Sequence, residues 1–179
     1  MNTDWMTSLH PTIHALADAL QQRGWMLACA ESCTGGLLAA ALTDIPGSSR
    51  WFERGFVTYS NAAKIQHLNI PPTILAQHGA VSAPTAAHMA QGVLATCPSV
   101  HLAIATTGIA GPDGGTTDKP VGTVCFGIAW RNGADDDIHV QTQTQHFPGT
   151  RQKIRQASVS HALQQALRVV INGTSAQSP

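Results

Sequence analysis

Residues 25–36 read Trp-Met-Leu-Ala-Cys-Ala-Glu-Ser-Cys-Thr-Gly-Gly, and Leu37 to Leu42 continue as an apolar segment. The run from Trp25 to Ala30 predicts a short buried strand. Leu37 to Leu42 predicts a helix, and ESCTGG between them predicts a glycine-rich turn. Strand, turn and helix in this order make the repeating unit of α/β sheets.

The flanks extend the pattern. Upstream, Ile13, Leu16, Ala17 and Leu20 stand at helical spacing between Leu9 and Gln22, with Gly24 as the stop. Downstream, Pro46 to Ser49 punctuates the chain, and a short helix is expected through Trp51 and Phe52. Gly55 to Tyr59 predicts a strand, and Ser60 or Asn61 caps a helix that contains Lys64. Pro71-Pro72 opens another short helix, and Ser82-Ala83-Pro84-Thr85 opens one running to about Thr96. Val100 to Thr107 reads as a buried strand, Val121 to Trp130 and Ile138 to Phe147 as a pair joined by a polar turn from Arg131 to Asp137. A last helix follows Pro148-Gly149-Thr150, with Ile154, Ala157, Val159, Leu163, Ala166, Leu167 and Val170 on its buried side. The expected architecture is one α/β domain over residues 1–171, a helix/sheet/helix sandwich with a mixed, mostly parallel sheet. Residues 172–179 form a disordered tail in this reading.

Composition narrows the function. The 179 residues hold ten basic and ten acidic side chains, so no global field favours a polyanion and no nucleic-acid partner is expected. The N-terminus lacks the form of a signal peptide and no apolar run could span a bilayer, so a cytoplasmic protein without a membrane partner is expected. Four cysteines without CxxC pairing read as reduced thiols. No carboxylate pair or His/Cys cluster suggests a metal.

Three stretches that follow predicted strands carry the chemistry. In Glu31-Ser32-Cys33-Thr34-Gly35-Gly36, a serine on a sharp turn meets the unpaired amides of a helix start, which suit an oxyanion or a phosphate. The bland alternative is that Ser32 or Thr34 merely caps the helix. In Tyr59-Ser60-Asn61-Ala62-Ala63-Lys64, the lysine occupies the first turn of its helix, where the dipole and partial burial depress its pKa toward that of a general base. A solvated lysine beside a packed tyrosine is the alternative. In Thr107-Gly108-Ile109-Ala110-Gly111-Pro112-Asp113-Gly114-Gly115, four glycines in nine residues can form a nest of N–H groups, although no Walker lysine follows. Asp113 reads as a turn former. Arg151 is placed to clamp a phosphate, or else is simply exposed. Cys33 is a second candidate nucleophile, but no histidine near it in sequence would activate it.

AESCTGG, DIPGSSRWFERGFVTYSNAAK, HGAVSAPT and TGIAGPDGG followed by KPVGTV together resemble the CinA C-terminal domain family. Its characterised members are nicotinamide mononucleotide amidohydrolases of the PncC type. The likeness is dense from Ala28 to Val124 and looser beyond. It implies a stand-alone, cofactor-free hydrolase that releases ammonia from a small-molecule nucleotide, with Ser32 as nucleophile and Tyr59 and Lys64 as activating partners. It further implies that Glu31, Cys33, Thr34, Gly35, Gly36, Thr107, Gly108, Ala110, Gly111, Pro112, Gly114 and Arg151 surround the substrate. A homodimer is implied too, with the apolar Trp51-Phe52 region as one place for it to form. Ala62 and Thr150 stand where relatives often carry acidic residues. The competing class is a non-catalytic nucleotide-binding module linked to competence; the set Ser32, Tyr59 and Lys64 argues against a pure binder.

Overall fold

A computed structural model describes residues 3–134 and 136–172; Asp135 and the expected tail beyond Asn172 lie outside the described residues. The elements in chain order are α1 (Thr3–Ser8), α2 (His10–Arg23), β1 (Leu27–Glu31), α3 (Leu37–Thr43), β2 (Phe52–Val57), α4 (Asn61–Leu68), α5 (Pro72–His78), α6 (Ala83–Thr96), β3 (Leu102–Gly108), β4 (Thr123–Trp130), β5 (His139–His146) and α7 (Arg151–Asn172). The strands form one sheet in the order β2-β1-β3-β4-β5. β1 pairs parallel with both β2 and β3, while β4 is antiparallel to β3 and to β5. Four of the five strands therefore point the same way and only β4 is reversed, which is the mixed α/β sheet expected.

Side-chain alternation assigns the two faces. Leu27, Cys29, Leu102, Ile104, Val124, Phe126 and Ile128 join the core that also contains the buried stripes of α2, α3 and α7. Ala28, Ala30, Ala103, Ala105 and Ala129 join a second core with residues of α6 and with Leu68, Ile70 and Leu75. The small residues of that second face let α6 lie close to the sheet. A Cβ on Gly127 would fall 2.2 Å from the Ala86 carbonyl oxygen, so only glycine permits this approach. Burial of each large aliphatic side chain in these cores contributes about 1.5–3 kcal/mol.

Two expectations are corrected. The short helix through Trp51 and Phe52 is instead a 3-10 turn over Ser48–Arg50, and Phe52 already begins β2. Trp51 is 2% exposed and lies in the core, with the half-buried Phe52 packed against it. Within α7, Leu167 packs partly buried against the core as expected, but Ala157 is only half-buried and Ser158 and Ala162 are buried instead, with Ser158 Oγ donating to the Ile154 carbonyl.

Arg131, read from sequence as part of a polar turn, is 6% exposed. Its guanidinium donates to the carbonyls of Leu94, Cys97, Pro98, Val100 and Ala134 at 3.0–3.1 Å. Three of these acceptors sit at or just beyond the carboxyl end of α6, where a cation also complements the helix dipole. Replacing Arg131 with alanine orphans buried carbonyls and is expected to lower unfolding free energy by about 3 kcal/mol, read as a shift in urea midpoint.

Candidate active site

The chain leaves β1 to form β2 on one side and then crosses to form β3 on the other. The crevice between the carboxyl ends of β1 and β3 is thus the point where strand order reverses, the usual ligand position in such sheets. Ser32 stands there, its amide donating to the Thr106 carbonyl at 2.9 Å. The turn after it is built by Gly35 and Gly36, at φ +57° and +91°, left-handed conformations suited to glycine.

Glu31 fixes this turn. Fully buried, its carboxylate accepts from the amides of Gly36 and Leu38 at 3.0 Å and of Ala39 at 2.8 Å, and from the Cys29 thiol. It anchors the start of α3 and does not line the cleft, unlike the substrate contact expected of it. Glutamine at this position would set an NH₂ against amide donors; Glu31→Gln is expected to cost about 2–3 kcal/mol of stability, measured by thermal unfolding.

On the other side of β1, the register Glu31↔Val57 continues as a Thr58 amide donating to the Glu31 carbonyl at 2.8 Å. This pairing brings α4 beside Ser32. Ser60 caps α4 by accepting from the Ala63 amide, and Lys64, completely buried, turns inward. Lys64 Nζ lies 3.0 Å from Ser32 Oγ, 2.8 Å from the Thr58 carbonyl and 3.4 Å from the Tyr59 carbonyl. It has no ion-pair partner among the described residues. Burial pulls its pKa down to about 8. When the amine is neutral, two N–H groups can remain on the two carbonyls while its lone pair faces the serine hydroxyl. That is the orientation a general base requires.

A cleft of roughly 270 Å³ opens above this pair. Ser32 and Cys33 form one side, Tyr59 and Arg151 another, and Thr107, Gly108, Ala110 and Gly111 a third. Ile109 and Asp113 also line it; Asp113 had been read only as a turn former. Thr34, Gly35, Gly36, Pro112 and Gly114, expected at the ligand, are not part of this lining; Thr34 is buried, Gly36 half-buried, and Gly35, Pro112 and Gly114 are exposed. The buried Thr34 hydroxyl pairs with that of Thr106 at 2.7 Å and ties the turn to β3.

The match of the CinA C-terminal domain to residues 10–170 covers the whole of this arrangement. The chain belongs to that family. It is 49% identical over 163 residues to the nicotinamide-nucleotide amidohydrolase PncC of Enterobacter agglomerans, spanning 91% of this chain and 96% of that protein. A CinA-like protein of Chlorobium limicola is 46% identical over 160 residues, 89% of this chain but 36% of that longer protein. The crystal structure of a CinA superfamily protein from Klebsiella pneumoniae superposes with a TM-score of 0.83 at 35% identity, covering 91% of this chain and 98% of that one.

In this CinA domain the Tyr59 hydroxyl is not directed at the dyad. The side chain is 58% exposed and its hydroxyl accepts from Arg151 Nη2 at 2.9 Å, so only the Tyr59 backbone reaches Lys64. Arg151 Nη1 also donates to the Gly111 carbonyl at 2.8 Å, joining the start of α7 to the glycine-rich loop. Thr150 Oγ1 receives the Lys153 amide at 3.4 Å and so caps the start of α7.

The Cys33 thiol is pushed up to about 12 by burial, which leaves it protonated and removes it as a nucleophile at ordinary pH. The amides of Ser32, Gly35 and Gly36 are engaged within the chain, whereas those of Cys33 and Thr34 donate to no other described residue. Of these two, Cys33 borders the cleft.

Sequence reading missed three contributors. Arg155, one turn after Arg151, donates through Nε and Nη2 to the Thr34 carbonyl at 3.2 and 2.6 Å and braces the turn; its i+4 spacing from Arg151 was the available signal. Ala80 and Val81 border the cleft, held by Thr107 Oγ1 on the Ala80 carbonyl and Lys119 Nζ on the Val81 carbonyl, both at 2.7 Å. No group of three or more His, Cys, Asp or Glu side chains converges among the described residues. None of their helices is long and apolar enough to cross a membrane.

Proposed function

We propose that this protein hydrolyses the carboxamide of nicotinamide mononucleotide to the carboxylate and ammonia, by acyl transfer through Ser32. The observation that carries the reading is a buried lysine, Nζ 3.0 Å from a serine hydroxyl at the floor of a cleft. The name of the similar Enterobacter protein, nicotinamide-nucleotide amidohydrolase, supports the substrate.

Neutral Lys64 takes the proton of Ser32 as Oγ attacks the carboxamide carbon, which the cationic pyridinium ring makes electrophilic. The oxyanion of the tetrahedral intermediate is stabilised by the Cys33 amide; a donor in that position is worth about 3–4 kcal/mol. The Lys64 ammonium then returns its proton to the departing nitrogen, the C–N bond breaks and ammonia leaves. Water, deprotonated by the same lysine, adds to the acyl ester, and collapse restores Ser32 with its proton. Tyr59 acts as a cleft wall and as the partner that orients Arg151. The activating role expected of Tyr59 is not needed, because Lys64 Nζ reaches Ser32 Oγ directly. A binding module without turnover has no use for a neutral lysine aimed at a serine.

Arg151 is the cation of the cleft and is assigned to the substrate phosphate. Arg151→Ala is expected to raise KM for nicotinamide mononucleotide about 10–100-fold, the worth of one charge-assisted contact, with a smaller effect on kcat. The same substitution should leave hydrolysis of the dephosphorylated substrate nearly unchanged. Steady-state ammonia release with both substrates tests the assignment, and an equal loss on the two would refute it.

A further inference from the structure

A second cleft, larger than the one above Ser32, is present. It encloses roughly 580 Å³ at the opposite end of the sheet. There the chain enters β1 at Trp25, leaves β4 at Trp130 and enters β5 at His139, and α2 and α7 end with Arg23 and Arg168 nearby.

The walls have a consistent chemistry. Trp130 and His139 stack on one another, with centroids 5.4 Å apart and an interplanar angle of 22°, so one wall of the cleft is an aromatic stack. Arg23 lies over the Trp25 ring, 4.5 Å from its centroid, leaving the edge of its planar fork for an anion. Arg168 is exposed, and neither guanidinium has an ion-pair partner among the described residues. Among the described residues no carboxylate lines the cleft, while the amides of Asn132 and Gln141 can both donate and accept. The carboxyl ends of α2 and α7 oppose an anion with about half a charge each, but two full guanidinium charges outweigh them. Aromatic wall, paired cations and side-chain amides match a planar base joined to a phosphate, and not a cation or a purely apolar ligand.

We propose that this cleft is a second binding site, separate from the serine centre, that takes a nucleoside phosphate. The base extends the Trp130–His139 stack, Arg23 and Arg168 hold the phosphates, and Asn132 and Gln141 meet the edge of the base.

The test is a tryptophan-fluorescence titration of the full Ser32→Ala chain with ADP, adenosine and inorganic pyrophosphate. Saturable quenching by ADP is expected, with adenosine and pyrophosphate each at least tenfold weaker. Arg168→Gln and Arg23→Gln, placed singly in that background, should each weaken ADP at least tenfold. In the Ser32-bearing chain, Arg168→Gln should leave the rate of ammonia release within twofold. The proposal is overturned if ADP causes no quenching up to millimolar concentration, or if neither arginine change alters its affinity. It is equally overturned if saturating nicotinamide mononucleotide displaces ADP, which would place ADP above Ser32. Sedimentation showing that these substitutions dissociate an assembly, with ADP affinity unchanged, would make the face an interface and also overturn it.

Discussion

Replacing Lys64 with methionine is expected to lower kcat for ammonia release about 10²–10⁴-fold, because general-base assistance contributes that much and, among the described residues, no other base touches Ser32 Oγ. Methionine approximates the length of the stem and fills the buried site, so the loss should fall on kcat far more than on KM. Arginine is the sharper control. It keeps a cation but cannot deprotonate near neutrality, and Lys64→Arg should be as inactive as Lys64→Met. The wild-type pH profile follows from the same group. With its pKa lowered to about 8, Lys64 is mostly ammonium at pH 6.5 and mostly free amine at pH 9. Activity should therefore rise with pH, with its midpoint near 8, and not fall. Steady-state rates from pH 6 to 10 check this. A profile flat through that range, or residual activity in Lys64→Arg, would remove the lysine from the proton transfer.

The elements were largely legible because their signals are local. Gly24 stops α2 in the left-handed region, Ser60 and Ser82 cap α4 and α6, and β1 and β3 read as short apolar runs. What failed depends on partners distant in sequence. Trp51 and Phe52 look equally fit for a helix or a strand end, and only the pairing of β2 with β1 decides. Arg131 stands beside a polar turn, yet its five acceptors come largely from the far end of α6.

The same division runs through the site. Ser32, Lys64 and the glycine-rich loop stand out by residue type and position after strands. That Lys64 would be fully buried with its amine on Ser32 is fixed by the register between β1 and β2, which spacing does not reveal. Glu31 was assigned to substrate because it adjoins the nucleophile. Its actual partners are amides of the segment that enters α3, and a carboxylate just before a Gly-Gly helix start carried that meaning too. Tyr59 was grouped with the lysine by proximity in sequence, but its side chain points out of β2's end toward Arg151.

Ser32→Ala is the other substitution of large effect. It removes the only hydroxyl hydrogen-bonded to Lys64 Nζ among the described residues, and the remaining cleft can offer no more than binding and the oxyanion amide. A loss of at least about 10³-fold in kcat is expected, with substrate affinity retained, since a nucleophile and its base act as one unit. Ser32 is 9% exposed and its hydroxyl is not a core contact, so the variant should fold. Ammonia release from nicotinamide mononucleotide at pH 9, where Lys64 is mostly neutral, should be measured for wild type and Ser32→Ala in parallel, with calorimetric binding as the control. Turnover by the wild type that collapses in a variant still binding the nucleotide is the predicted result. Near-normal ammonia release by Ser32→Ala would contradict the account, leaving water activated by Lys64 as the nucleophile.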